Sequence, residues 1–346
     1  MAKMMPFLGP SVLVVLLRVS AALDPALDTA WEDWKSLHGK AYLEGEEFSR
    51  RAIWEENLRM IEQHNWEASQ GKHTYRLGMN HFGDLTDEEF NQRTSCLLPD
   101  QVEQAVGNMS WFHDSATEEV PESVDWRKEG YVSPVKSQVI FSPPFYFLPQ
   151  GLCGSCWAFS ATGALESFHF KTTRQRVSFS EQNLLDCSWD QVNRGCQGGH
   201  PAQAFEYVRQ NGGLSSEQDY PYRGKVGRCR RNARKIRIKI SGFGRVQSGN
   251  EKELAYAVAK FGPVSVGINF NKRKFRYYKS GIFSRDCGRD KSGHAVLVVG
   301  YKTDNNGNGY WIVKNSYSRN WGINGYLHLK IGSNLCGIAN NAFYPV

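Results

Sequence analysis

The apolar and polar positions between residues 24 and about 95 repeat with a helical period. In "EFSRRAIWEENLRMIEQHN", one set of side chains recurs at steps of three and four, which places it on a single stripe of a helix. The stripe consists of Ile53, Trp54, Asn57, Leu58, Ile61 and Asn65. No Gly or Pro interrupts this segment. Further on, Thr86 followed by Glu88 and Glu89 predicts the start of another helix.

From Val120 onwards the pattern changes to short apolar or alternating runs. Two runs early in this part predict helices, and five later runs predict strands. The helical runs are "WAFSATGALESFHF" and "EQNLLDC", and the strand runs are "KIRIKISGF", "VSVGINF", "HAVLVVGY", "GYWIVKNS" and "GYLHLKI". Helices first and antiparallel strands later predict an α+β fold. Residues 96–119 are expected to form an exposed linker between the two regions.

Length and composition fit a packed globular protein without a nucleic-acid partner. The chain has 346 residues, 40% of them hydrophobic, which suits one large domain or two modest ones. The formal charge of +7 is mild. The densest basic run spans Arg228 to Ile240 and ends in the alternating "KIRIKI", which favours a solvated sheet face over a polyanion site.

The N-terminus predicts entry into the secretory pathway. Lys3, the apolar "SVLVVLL" and the small "SAA" are typical of a signal peptide cleaved near Ala22. The apolar run is shorter than the roughly 20 residues that a membrane anchor needs. We therefore expect a lysosomal or extracellular protein in which disulfides can form. In that setting Asn108, in Asn-Met-Ser, is a predicted glycosylation site.

The pair Cys153 and Cys156 has three possible interpretations. A redox dithiol would need a strand just before it, and a zinc site would need a second pair at short spacing. Neither is present, so we expect no metal and no cofactor. The third interpretation makes Cys156 a nucleophile at a helix N-terminus, where a thiolate is stabilised. A basic partner and a residue that orients it are then required, and His294 and Asn315 are the candidates.

Three motifs in one order resemble those of the papain-like cysteine proteases, and of cathepsin L in particular. They are "CGSCW", "GHAVLVVGY" and "KNSYSRNWG". The upstream part resembles the inhibitory propeptide of cathepsin L-type enzymes through two motifs. The matching residues are Glu47, Arg51, Trp54, Asn57, Ile61 and Asn65 in the first motif, and Gly78, Asn80, Phe82 and Asp84 in the second. The resemblance divides the chain into a signal peptide (1–22), a propeptide (23–119) and a peptidase domain (120–346).

The resemblance implies a papain-like two-lobed fold, with a helical lobe and an antiparallel β-barrel-like lobe, preceded by a helical propeptide. Cys156 would attack the peptide carbonyl as a thiolate, and His294 would protonate the leaving amine and later activate water. Asn315 would orient the imidazole. The Cys156 N–H and the side chain of Gln150 would stabilise the oxyanion.

The resemblance also implies substrate-binding residues and disulfides. The residues that would bind substrate are Gly154, Gly199, His200, Pro201, Gly293 and Trp321. The implied bridges are Cys153–Cys196, Cys187–Cys229 and Cys287–Cys336. This pairing leaves Cys156 free for catalysis and makes Cys96 an odd thiol of the propeptide.

The implied partners are protein and peptide substrates, the chain's own propeptide, and cystatin-type inhibitors, and the enzyme would be a monomer. The propeptide would run through the cleft in the reverse direction and be removed in acid. Protonation of Asp84 and neighbouring carboxylates would weaken its ion pairs.

Several positions near the site depart from the family pattern. Gly293 stands where Asp or Asn is usual, and Tyr317 stands where Trp usually shields the His–Asn hydrogen bond. The pocket for the substrate residue two before the scissile bond is expected to be more polar and to have an altered preference. Its unusual wall residues are His200, Pro201, Gly267, Ser292 and Asn341.

Residues 139–150, "VIFSPPFYFLPQ", interrupt the family pattern just before the nucleophile. Removing them restores the family register, so Gln138 and Gln150 compete for one role, and spacing together with the Cys153 tether favours Gln150. The inserted aromatic and aliphatic side chains would need a new pocket or would promote aggregation. Because pyrimidine-rich codons can encode most of them, our hypothesis is that the segment is retained intron sequence.

Two functions remain open at the level of sequence. The first is an endopeptidase made as an autoinhibited zymogen, which the intact Cys156, His294 and Asn315 favour. The second is a catalytically impaired or inactive homologue that acts as a binding or regulatory protein. The insertion, Gly293 and Tyr317 favour this second function.

Overall fold

The computed structural model describes residues 23–94, 97–98, 119–139, 153–189, 193–230, 236–270, 272–288, 293–303 and 309–346. The predicted signal peptide, the glycosylation site Asn108, Cys96, Gln150 and Ser292 lie outside these ranges. Of the inserted segment 139–150, only Val139 is described.

Helices come first along the described chain, and most strands come later, as the sequence pattern predicts. The helices are α1 (Asp28–His38), α2 (Glu47–Ser69), α3 (Asp87–Thr94), α4 (Cys156–Thr173), α5 (Glu181–Cys187), α6 (Pro201–Gln210), α7 (Glu251–Phe261) and α8 (Lys272–Arg276). The strands are β1 (Tyr75–Leu77), β2 (Ser123–Asp125), β3 (Leu214–Ser215), β4 (Ile236–Ile238), β5 (Phe243–Arg245), β6 (Val264–Ile268), β7 (Tyr278–Phe283), β8 (His294–Thr303), β9 (Gly309–Lys314), β10 (Tyr326–Lys330) and β11 (Ala342–Pro345).

Three tryptophans form the core of the N-terminal region, where α1 crosses α2. The rings of Trp31 and Trp34 stack with centroids 5.3 Å apart, and Trp54 meets Trp31 edge-on at 5.6 Å. The indole N–H of Trp34 donates to the carbonyl of Asn80 at 2.9 Å, which ties the helices to the following loop. Trp54, Asn57 and Ile61 of the predicted stripe are buried, so the helical prediction for this region is confirmed.

Polar contacts fix the loop after β1 and the start of α3. The side-chain amide of Asn57 donates to the carbonyls of Gly83 (2.9 Å) and Leu85 (3.2 Å). The Thr86 hydroxyl accepts from the Glu89 N–H (3.1 Å), and the Glu89 carboxylate accepts from the Thr86 N–H (2.9 Å). This reciprocal pair is a capping box, and it explains why the helix begins at Asp87.

The larger sheet has the strand order β1-β7-β10-β9-β8-β6-β11-β5, with β2 paired to β8. Strand β8 lies in its middle and pairs antiparallel with both β6 and β9. Strand β1 comes from the N-terminal region and adds antiparallel to β7, with Tyr75 opposite Gly281. A Cβ at Gly281 would lie 2.4 Å from the Thr74 carbonyl oxygen, and its φ is +87°, so this contact requires glycine. The N-terminal region therefore extends the sheet of the C-terminal region.

Helix α4 packs lengthwise against β8 and joins the helical part to the sheet. Its side chains are buried from Cys156 through Ser167. The hydroxyl of Ser160 donates to the Val296 carbonyl at 2.6 Å, and a Cβ on Gly163 would lie only 2.9 Å from Leu297. This close approach fixes the position of the helix N-terminus relative to the first residues of β8.

The three disulfides that the resemblance implies are present. Cys153–Cys196 and Cys187–Cys229 lie in the helical lobe, and Cys287–Cys336 lies in the sheet lobe.

One expectation for the linker is wrong at its start. Residues 96–119 were expected to be exposed, yet Leu97 is only 8% exposed, because it is bound between the two lobes. Among the described residues, no helix is both long enough and apolar enough to cross a membrane.

We expect Trp54→Ala to destabilise the N-terminal helical region by about 3–5 kcal/mol, because it removes a buried ring from a three-residue core. Trp54 is 2% exposed, whereas Trp66 on the same helix is 57% exposed. Thermal unfolding followed by tryptophan fluorescence would measure the loss. Trp66→Ala is the matched control, and an equal loss in both variants would contradict the assigned core.

Candidate active site

Cys156 lies at the centre of the site as the first residue of α4. Its side chain is fully buried, and its sulfur accepts a hydrogen bond from the Ala295 N–H at 3.3 Å. Ala295 follows His294 at the start of β8. The packing of α4 on β8 thus places the predicted nucleophile beside the segment that carries the predicted base, at a helix N-terminus of positive partial charge.

Cys156 was expected to carry a free thiol, and in this unprocessed chain it does not. No described cysteine has a free thiol, and Cys156 itself is disulfide-bonded. The three bridges above account for the other described cysteines. A disulfide sulfur cannot attack a carbonyl, and Cys156 would have to be reduced to a thiolate before it could react.

His294 and Asn315 form a direct hydrogen bond, as the resemblance implies. The imidazole Nε2 lies 2.8 Å from the Asn315 side-chain oxygen, which accepts the ring proton. The same oxygen accepts from the Ser316 N–H at 2.8 Å, and the Asn315 N–H donates to the Gly325 carbonyl at 3.0 Å. These contacts fix the orientation of the amide and, through it, the imidazole. The pairing of β8 with β9 brings the two residues together.

Aromatic rings surround the His294 ring of this hydrogen bond. The Tyr317 ring lies 4.9 Å from the His294 ring and is fully buried, while Phe270 and Phe275 lie within about 6 Å. Burial lowers the pKa of His294 to about 4, although the hydrogen bond to Asn315 opposes this shift. In this structure, therefore, Tyr317 covers the pair that a tryptophan usually covers in the family.

Gln138 lies next to this pair. It is fully buried, its N–H donates to the Ser316 carbonyl at 2.9 Å, and its side-chain oxygen accepts from the Ser316 hydroxyl at 2.6 Å. The Tyr222 hydroxyl donates to its carbonyl at 2.9 Å. The sequence argument preferred Gln150, which lies outside the described residues, because the spacing to the nucleophile could not show where Gln138 folds.

The N-terminal region occupies the cleft with a short extended segment. The Leu97 N–H donates to the Gly293 carbonyl at 3.2 Å, and the Leu98 N–H donates to the Gly199 carbonyl at 3.0 Å. A Cβ on Gly199 would lie 2.5 Å from the Trp157 ring, so glycine is needed on this wall. Two predicted substrate-binding residues, Gly199 and Gly293, therefore hold an extended backbone between them.

The Leu97 side chain packs against two glycines of the sheet lobe. A Cβ at Gly267 would lie 2.5 Å from its terminal methyl group, and a Cβ at Gly293 would lie 3.2 Å away. Any larger residue at Gly267 would displace this side chain. The depth of the pocket thus depends on the presence of glycine, which has no side chain, at these two positions.

The remaining predicted substrate-binding residues lie on both sides of the cleft. Gly154 donates its N–H to the Cys196 carbonyl at 2.9 Å, and Pro201 begins α6. The Nδ1 atom of His200 accepts from the Ala202 N–H at 3.3 Å, and its ring packs edge-on against Phe343. His200 thus caps a helix, a role that the sequence argument did not assign. Trp321 is fully buried in the sheet lobe.

A buried group of charges beneath the site was missed from the sequence. The Lys136 ammonium lies 2.8 Å from Glu166 and 2.7 Å from Glu181. Burial opposes its charge, but these carboxylates outweigh burial and raise the pKa of Lys136. Lys314, on β9, donates to the Ser133 hydroxyl at 3.0 Å, and burial lowers its pKa to about 8. The described residues include no cluster of His, Cys, Asp and Glu that could hold a metal ion.

Comparisons with known proteins agree with the geometry. Residues 120–346 match the papain family of cysteine proteases, and residues 31–90 match the cathepsin propeptide inhibitor domain (I29). The chain is 46% identical to human cathepsin L2 over 93% of both chains, and 45% identical to mouse testin-2 over 94% of both. The structure of digestive procathepsin L 3 from the larval midgut of Tenebrio molitor superposes with a TM-score of 0.81 at 35% identity, covering 93% of this chain and all of the other.

We expect the His294 ring in the unprocessed chain to titrate near pH 4 rather than near 6.5. Burial disfavours the imidazolium, so the covered form takes up this proton less readily than an uncovered one. Acid therefore favours uncovering the ring, increasingly as the pH falls from about 6.5 to about 4. NMR titration of labelled histidine would measure the midpoint before and after propeptide removal. A midpoint near 6.5 in the unprocessed chain would contradict this assignment.

Proposed function

The chain belongs to the papain family of cysteine proteases, and we propose from this a role for each of its site residues in the reaction. It is a cysteine endopeptidase made as an autoinhibited zymogen with a cathepsin propeptide inhibitor domain. An inactive homologue that only binds or regulates is not favoured. The observation that carries the residue assignment is the 2.8 Å contact of His294 with Asn315, next to a residue that hydrogen-bonds the Cys156 sulfur.

The proposed reaction begins with Cys156 in its reduced form. With Nε2 of His294 held by Asn315, Nδ1 is the ring nitrogen that exchanges a proton with the thiol. The thiolate attacks the peptide carbonyl, and the imidazolium gives its proton to the leaving amine, which leaves an acyl group on the sulfur. A water that gives a proton to the neutral imidazole then attacks the acyl carbon and releases the acid.

We assign the side-chain donor of the oxyanion hole to Gln138. Its fixed contacts with Ser316 support this choice, since a donor for an oxyanion must be preorganised before the charge develops. The Cys156 N–H, at the first position of α4, is the proposed second donor. Gln150 stays the alternative that the sequence spacing suggests.

Autoinhibition rests on several contacts between the propeptide and the peptidase domain. Leu97 and Leu98 lie across the cleft, and β1 extends the sheet. Within the propeptide, buried Asp84 accepts from Lys40 at 2.7 Å and from the Tyr42 hydroxyl at 3.1 Å. These contacts support the proposal that loss of the Asp84–Lys40 ion pair loosens the propeptide. The reverse direction of the bound chain stays a prediction.

The proposed substrates are proteins and peptides whose residue two before the scissile bond enters the pocket that Leu97 fills. Gly267 and Gly293 deepen this pocket, which supports an altered preference. Cystatin-type inhibitors and a monomeric state belong to the proposal as well. A lysosomal or extracellular location rests on the signal-like N-terminus and on the cathepsin relatives.

We expect an epoxide probe that alkylates active-site thiols to label the acid-processed, reduced protein, and Cys156→Ser to abolish labelling. Asn315→Ala should lower kcat/KM for a fluorogenic peptide at least about tenfold, because the imidazole loses its orientation. Asn320→Ala, a nearby exposed asparagine, is the matched control. Processed wild-type protein that neither binds the probe nor cleaves peptides would refute the assignment.

A second pair of variants decides between the two glutamines. Gln138→Ala should reduce kcat about a hundredfold, the usual effect of removing one oxyanion donor, whereas Gln150→Ala should change it little. Steady-state kinetics on the processed enzyme measures both. The opposite ranking would assign the donor to Gln150.

A further inference from the structure

Arg276 is an unusual residue in the contact between propeptide and peptidase domain. It ends α8 in the peptidase domain, and it is completely buried although it carries a charge. Its guanidinium donates to the carbonyls of Leu85 (3.1 Å) and Thr86 (3.0 Å), to the Asn57 side-chain oxygen (3.3 Å) and to the Asp87 carboxylate (2.8 Å). All four partners belong to the propeptide.

Arg273, one turn earlier on α8, also pairs with carboxylates of the propeptide. Its guanidinium lies 2.6 Å from the carboxylate of Glu56 and 4.0 Å from that of Asp87. Lys274 between them instead pairs with Asp286 of the peptidase domain at 3.0 Å. When the propeptide is removed, therefore, Arg273 and Arg276 lose their carboxylate partners together, whereas Lys274 keeps its own.

The peptidase domain makes its own contacts with the backbone that carries Arg276. The Trp321 indole N–H donates to the carbonyls of Phe275 and Arg276, both at 3.1 Å. The Arg276 guanidinium also lies over the Tyr277 ring at 4.6 Å. The Arg276 carbonyl also accepts from the Asn80 side chain of the propeptide at 2.8 Å. The Trp321 and Tyr277 contacts do not involve the propeptide, so they can still hold this corner, residues 273–277, after processing. A preorganised guanidinium loses little entropy when it binds a carboxylate.

This corner lies close to the catalytic residues. The Phe275 ring, one residue before Arg276, is 6.0 Å from the His294 ring. In the zymogen, α3 leads from Asp87 at Arg276 to Thr94, shortly before Leu97 in the cleft. Such a helix of eight residues is about 12 Å long, a distance that an extended chain covers in about four residues.

We propose that removal of the propeptide turns Arg273 and Arg276 into a binding site for an acidic segment of a protein substrate. The proposal rests on the proposed function of the neighbouring catalytic residues. The propeptide shows the chemistry of the ligand: an Asp carboxylate together with main-chain carbonyls, which match the fork of a guanidinium. The acidic residues of the substrate lie about four residues or more from the scissile bond.

The test uses processed enzyme and matched peptides that share one cleavable sequence. In the first pair, one peptide carries a run of Asp and Glu that begins four residues after the scissile bond, and the other carries Asn and Gln at the same positions. In the second pair, the corresponding acidic and neutral runs lie four residues or more before the scissile bond. We expect kcat/KM to be roughly threefold to tenfold higher for the acidic peptide of at least one pair at low salt. The preference should fall as salt is raised, because the charges are screened.

Variants test whether the preference for acidic peptides depends on Arg273 and Arg276. Arg273→Gln combined with Arg276→Gln should remove the preference, and Arg276→Lys should keep part of it, since the charge remains without the fork. Lys252→Gln on α7 removes one positive charge, as each of the two arginine substitutions does, at an exposed position away from α8, and it should keep the preference.

Two results separate failure of this proposal from failure of the proposed function. Equal cleavage of acidic and neutral peptides at every salt concentration overturns the acidic site while the protease assignment stands. No cleavage of any peptide refutes the protease assignment instead. If the double variant does not fold, the salt series on the wild-type enzyme still decides, because the proposal requires a salt-sensitive preference.

Discussion

The contact between α4 and β8 is the interaction on which the site depends. Close packing at Gly163 and Leu297, with the hydrogen bond from Ser160 to Val296, sets the helix N-terminus against the first residues of the strand. Cys156 and His294 lie at those two ends. Neither lobe contains both groups, so their approach exists only while this interface is packed. Lys136 pairs with the buried Glu166 and Glu181 beneath the same interface.

The propeptide adds to the burial of the residues around this interface. It supplies a strand to the sheet, a segment to the cleft, and aromatic rings around Tyr317, which Phe82 and Phe90 both meet edge-on. Burial lowers the pKa of His294, which favours the neutral imidazole in this form. The propeptide thus buries the His294 ring and also occupies the cleft.

Periodic segments were the most predictable part of the fold. The stripe on α2, the capping box at Thr86 and the apolar runs of β6, β8 and β9 appear where the pattern predicts them, because local spacing decides which side chains can be buried together. Leu97 was expected to be exposed, and its burial comes from two glycine backbones far away in sequence. His200 is predicted to line a pocket, and its nitrogen also caps a helix, which the sequence pattern did not show.

A cysteine at a helix start, a histidine at a strand start and an asparagine after the next strand are each visible as local patterns, so the sequence could predict the chemistry that is proposed for them. It also implied the three disulfides, through resemblance. Which groups meet depends on the tertiary structure. It placed Gln138 against Ser316, buried Arg276 among propeptide carbonyls, and covered His294 with Tyr317. These contacts join residues that are distant in sequence, and no local periodicity encodes them, because they arise from how the lobes and the propeptide pack.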